Sequence, residues 1–204
     1  LVDLRPCDAN ETVEAWRFAM EYNEGPLFLA LSRQALPTLD RTKYAPAENL
    51  RRGAYVLADA RDGKPEVILI ASGSEVAVTL EAYEQLEAQG IRTRVVSMPS
   101  WALFDRQPEE YREQVLPRSV RARVSVEAAG PMGWHRWVGH DGEVIAISHF
   151  GASAPAKQVF EELGFSAENV VNKARCVLGL EEPKPELERG LAAAGPTRHG
   201  ADEG

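Results

Sequence analysis

The chain has 204 residues, with 23 Lys and Arg against 31 Asp and Glu, giving a formal net charge of −8 at pH 7. That balance disfavours a general binder of phosphate backbones, whose affinity rests on positive charge, but leaves room for a local basic pocket that takes a small anion. Hydrophobic residues at 44% and charged residues at 26% describe an ordinary globular chain, sized for one large domain or for one domain and a piece of another.

Leu1-Val-Asp-Leu-Arg-Pro6 opens as if inside a strand, with no initiator Met and no basic stretch before an apolar core, so the chain is expected to be part of a longer protein. Asp8, with Glu11 three residues on, reads as a helix start. Val13, Trp16 and Met20 then fall on one helical face, and Asn23–Pro26 ends the helix. Leu27-Phe-Leu-Ala-Leu31 is a continuous apolar run that predicts a buried strand, with Ser32-Arg33-Gln34 at its carboxyl end. Residues 34–50 carry Pro37 and Pro46 and few large apolar side chains, and read as a linker closed by Arg51, Arg52 and Gly53.

From Gly53 the periodic pattern resumes. Ala54–Ala58 is a short strand, Asp62-Gly63 a tight turn, and Glu66–Ala71 a strand. Ser72-Gly-Ser-Glu75 leads into a helix through Gln89, with Val76, Leu80, Tyr83 and Leu86 on one face and Gly90 ending it. Arg92–Ser97 completes a strand–helix–strand unit of the kind that builds parallel sheets. Met98-Pro-Ser-Trp101 reads as a turn, Glu109–Val115 as a short helix stopped before Pro117, and Ala122–Val126 as a strand ending at Glu127. Trp134–Trp137 fits a short helix or an aromatic loop. Glu143–Ser148 is a further strand, Ser153 and Pro155 open a helix to Leu163, and Asn169–Leu178 is the last helix. From Gly179 the chain is acidic and rich in Pro, Gly and Ala, the pattern of a flexible tail. The apolar strand cores predict a sheet covered on both faces.

Few residues point to chemistry. Ser72–Glu75 opens a helix after a strand, where free N–H groups suit an anion, but it lacks the spaced glycines of a dinucleotide loop and the lysine of a P-loop; a plain turn capped by Ser74 is favoured. Arg33, just past a strand, lies where open α/β sheets gather ligands, and a guanidinium suits a phosphate or carboxylate. A surface salt bridge is its bland alternative. His135, His140 and His149 have no metal-ligand spacing, and Glu127 has no identifiable partner. Trp101, Trp134, His135 and Trp137 form an aromatic concentration read as packing or a subunit interface. Cys7 and Cys176 read as free thiols of a reducing compartment, placing the protein in the cytoplasm. No apolar run approaches the ~20 residues that span a bilayer. Neither a membrane nor a nucleic acid is an expected partner.

Several stretches carry a resemblance. Arg5-Pro-Cys-Asp-Ala-Asn-Glu-Thr12, Leu29-Ala-Leu-Ser-Arg-Gln34, Ile70-Ala-Ser-Gly-Ser-Glu-Val76, Arg94-Val-Val-Ser-Met-Pro-Ser100, Tyr111-Arg-Glu-Gln-Val-Leu-Pro117, Val126-Glu-Ala128 and Phe150-Gly-Ala-Ser-Ala-Pro155 together resemble the bacterial transketolases. Cys7, where that family usually has Ala, and Gly130–Trp137 depart from its pattern. The resemblance implies that residues 1–36 are the end of a pyrimidine-binding domain, 37–52 a linker, and 53–178 the C-terminal domain. That domain would be a three-layer α/β unit with a mixed, mostly parallel five-stranded sheet. Residues 179–204 would be a tail without a family counterpart.

It further implies transfer of a two-carbon ketol unit from a ketose phosphate to an aldose phosphate, with thiamine diphosphate and Mg2+ or Ca2+, in a homodimer whose sites form between subunits. Arg33 would bind the sugar phosphate. The family's catalytic, cofactor-binding and metal-binding positions would lie in the remainder of the chain, so none is placed on this sequence and the chain alone is expected to be inactive. A 1-deoxyxylulose-phosphate synthase or a dehydrogenase β-chain is the alternative within the superfamily. A non-catalytic C-terminal subunit for assembly or anion sensing is the alternative outside it. Ser-Arg-Gln and Met-Pro-Ser favour transketolase.

Overall fold

The structure, a computed structural model, describes residues 1–151 and 153–182, so the expected tail from residue 183 onward lies outside the described residues. The first two strands, β1 (Val2–Leu4) and β2 (Leu27–Leu29), form a parallel pair joined by helix α1 (Ala9–Glu21). Asp8 caps α1, its Oδ1 accepting the Glu11 N–H at 2.7 Å, and Glu11 reaches back to accept the Cys7 N–H at 2.8 Å. These two bonds satisfy N–H groups that a helix start leaves free.

One expectation holds without burial and another fails in this region. Val13, Trp16 and Met20 do share a face of α1, but all three are exposed, and the helix instead buries Glu11, Glu14 and Ala15. Strand β2 ends at Leu29 rather than Leu31, and Phe28 and Leu31 are also exposed. Periodicity finds an apolar face; it does not say which neighbour covers it.

A six-residue 3-10 helix (Ala47–Arg52) leads to β3 (Tyr55–Ala58). Gly53 joins them at φ +81°, and a Cβ there would lie 2.2 Å from the Phe104 backbone nitrogen, so only glycine fits. Next come β4 (Val67–Ala71), α2 (Glu75–Ala88), β5 (Thr93–Ser97), α3 (Trp101–Asp105), α4 (Glu109–Val115), β6 (Arg123–Val126), α5 (His135–Val138), β7 (Glu143–Ile145), α6 (Ala156–Glu162) and α7 (Ala167–Val177). The strands form one sheet in the order β3-β5-β4-β6-β7, parallel except for the β3–β5 edge. This is the mixed, mostly parallel five-stranded sheet that the family resemblance implied.

Every residue of β4 is buried, as a strand covered on both faces requires. Val67 and Leu69 face α2 and α7, packing with Leu80, Leu86, Val170 and Ala174. Ile68 and Ile70 face the other layer, with Phe104, Val115, Trp134 and Trp137. The aromatic concentration is therefore packing: Trp101 meets Trp134 edge to face at 5.0 Å between ring centroids.

Local chemistry explains the remaining differences. Ser100 accepts the Leu103 N–H at 3.3 Å and starts α3, where only a turn was expected. Ser166 does the same for Asn169 and starts α7 two residues early. Ser74 forms no capping bond, and Ser153 does not cap α6, whose cap position is Pro155.

Candidate functional site

The carboxyl ends of the two sheets meet. The Arg5 N–H, just past β1, donates to the Pro99 carbonyl beyond β5 at 2.9 Å, and the Arg5 carbonyl accepts the Gly73 N–H beyond β4 at 3.1 Å. Ala30, just past β2, donates to the Leu4 carbonyl, so the segment carrying Arg33 leaves from this same junction. Arg33 is exposed and has no ion-pair partner among the described residues. The neighbouring Gln34 and Leu36 line a cleft of about 330 Å³ together with Ser74, Lys157, Phe160 and Phe165. Arg33 directly precedes the cleft residue Gln34, and an exposed guanidinium offers a planar fork of N–H donors to an anionic group.

Beneath the junction lie charges that the sequence did not reveal. Glu127 directly follows β6 and is buried, and Ser72 donates to its Oε2 at 2.8 Å. Arg5 pairs with Glu127 and reaches Glu75, at the start of α2, at 3.7 Å. Burial pushes Glu75 up to about 6 and also raises Glu127. Ser74 donates to Glu75 Oε1 at 2.6 Å instead of capping the helix. This helix start therefore carries a buried carboxyl, which argues against an anion binding there.

A third buried carboxyl, Glu11, accepts the Tyr55 hydroxyl at 2.6 Å, the Ser97 hydroxyl at 2.9 Å and the Cys7 N–H. Its burial raises it as well. Arg41 ties the same region together through Asp8 at 2.9 Å and the Tyr55 hydroxyl at 3.1 Å.

His135, His140 and His149 are all exposed. Among the described residues no group of three or more His, Cys, Asp or Glu is placed to hold a metal ion. Both cysteines are free thiols. The signal that could have found the buried cluster is modest: carboxylates set directly at the end of apolar strands or the start of an apolar helix, as at Glu75 and Glu127, are too costly to bury without a partner.

Residues 53–166 match the family described as Transketolase-like TK C-terminal domain. The chain is 46% identical over 176 residues to a transketolase of Geobacillus stearothermophilus, covering 86% of this chain and 26% of that protein. It superposes with a TM-score of 0.78 and 36% identity on a Pichia stipitis transketolase in complex with sedoheptulose 7-phosphate, covering 87% of this chain and 25% of that one. A split gene transketolase, described as an inactive β4 tetramer, is 26% identical with a TM-score of 0.71, covering 88% of this chain and 58% of that one.

Proposed function

The chain belongs to the transketolase-like C-terminal domain family, and from that premise we propose that it serves an enzyme moving a two-carbon ketol unit from a ketose phosphate to an aldose phosphate. It spans about a quarter of the length of the curated relatives it matches, 26% and 24% for the first two. In this reading residues 1–36 end a pyrimidine-binding domain, 37–52 link it onward, 53–178 form the C-terminal domain and 179–204 a tail. The exposed Val13, Trp16, Met20 and Phe28 then face the remainder of that domain or a second subunit of a homodimer. The setting is the cytoplasm, where Cys7 and Cys176 stay reduced.

Thiamine diphosphate, held with a divalent cation, supplies the carbanion chemistry of such enzymes. The described residues offer no cluster suited to that cation, so the cofactor is assigned to no residue of this chain. What this chain contributes is substrate binding. Arg33, exposed, without an ion-pair partner among the described residues and adjacent in sequence to the cleft residue Gln34, is the group that receives the sugar phosphate, and these observations support the reading most directly. Arg33→Ala in the full-length enzyme should raise KM for phosphorylated substrates by about 10- to 100-fold, the worth of a charge-assisted contact, and leave cofactor affinity unchanged. An unchanged KM removes the assignment.

The likeness to the split gene protein favours a second reading, in which a separate chain carries the cofactor site. The intact mass of the source protein separates the two.

A further inference from the structure

The chain leaves β4 for β5 on one side and returns to the other side for β6. Parallel sheets of this kind take ligands in the crevice outside the carboxyl ends of the two strands where the order reverses. Here those strands are β4 and β6, and the crevice is already filled. Arg5 reaches in from the end of β1 and sets its guanidinium between Glu127 and Glu75, which are 2% and 0% exposed. Glu75 Oε2 and Glu127 Oε1 are buried without any other partner and face this guanidinium. Ser72 holds the remaining oxygen of Glu127, Ser74 that of Glu75, and the backbone bonds to Pro99 and Gly73 fix Arg5 on both sides.

We propose that this crevice is a guanidinium site whose built-in ligand is Arg5, clamping residues 1–36 to the five-stranded sheet. The packing of Val2 and Leu4 with Leu103 adds apolar contact, but the polar seat decides where the segment docks.

The charges around the seat are unequal. One guanidinium, Arg5, faces Glu75 from α2 and Glu127 from β6, and Asp3 on β1 adds its charge against Glu127. The excess is negative, so the seat has room for a proton. Burial is the largest cause holding Glu75 at about 6, above its ordinary 4.5; Ser74 and Arg5 oppose it and Glu127 adds to it. A carboxyl raised on folding binds its proton more tightly in the folded state. Its contribution is complete below 4.5 and is lost as pH rises through about 6. Mild acid therefore favours the folded chain by relieving a buried charge, and leaves Glu127 as the main anchor of Arg5.

Thermal unfolding of the 204-residue chain at neutral pH, with and without millimolar guanidinium chloride, tests this. Arg5→Ala should melt about 5 °C or more below the parent, because two buried carboxylates lose their partner. Millimolar guanidinium should restore at least half of that loss in Arg5→Ala and leave the parent unchanged, while sodium chloride and urea restore nothing. A variant that melts with the parent, or that responds equally to sodium chloride, overturns the proposal. Should Arg5→Ala fail to fold, Glu75→Gln decides. The parent's melting temperature should rise as pH falls from 7 to 5, and that rise should shrink in Glu75→Gln; an unchanged rise overturns the proposal.

Discussion

Glu11 and Tyr55 meet at 2.6 Å although one lies on the first helix and the other on the edge strand of the five-stranded sheet. The contact is buried, and Glu11 Oε1 also accepts the Ser97 hydroxyl from the end of β5. A fully buried carboxyl with three donors is tolerable because every donor points at it. Glu11→Gln turns one acceptor into a donor facing donors. We expect it to cost about 1–3 kcal/mol, measured by urea unfolding. It should also remove the loss of stability that the parent shows as pH rises through the raised pKa of Glu11.

Gly53→Ala tests the junction before β3. The new methyl group would sit 2.2 Å from the Phe104 nitrogen and 2.4 Å from the Ser100 oxygen, at a φ that disfavours alanine. Backbone on both sides cannot give way cheaply. We expect a loss of about 3 kcal/mol or more and a melting temperature lower by about 6 °C or more.

Trp134 and Trp137 should behave differently from each other. The Trp137 Nε1–H is buried without an acceptor, so Trp137→Phe gives up ring volume but frees an unsatisfied donor. We expect its cost to stay near 1 kcal/mol. Trp134→Ala empties a packed site against Trp101 and should cost about 3–5 kcal/mol. Chemical denaturation of both variants provides the comparison.

The chain alone should show negligible affinity for thiamine diphosphate and magnesium. Isothermal titration calorimetry checks this. Micromolar binding would show that the cation and diphosphate are held by groups within these residues after all.

The layered fold was legible because its signals are local. Val67–Ala71 is apolar at every position, and such a run between turn residues has few other uses than a strand covered on both faces. The charged interior was not legible. Glu11 finds Tyr55 and Ser97 far along the chain, and Glu127 finds Arg5 farther still. Periodicity cannot see such pairs, and on base expectation a glutamate belongs at the surface. Trp16 shows the converse: it shares one apolar face of its helix with Val13 and Met20, yet it is 54% exposed. Arg33 stood out only by its position after a strand and by the residues on either side of it.

The bond between Arg5 and the end of β6 has a consequence in time. During synthesis the amino-terminal residues emerge first, yet the seat for Arg5 is complete only after Glu127 has been made. At roughly 5–20 residues per second that delay is on the order of ten seconds. Throughout it β1, β2 and α1 have no five-stranded sheet to rest on. Residues 1–36 thus leave the ribosome well before the sheet that seats Arg5 exists, and their exposed tryptophan and methionine are open to chaperones in the interval.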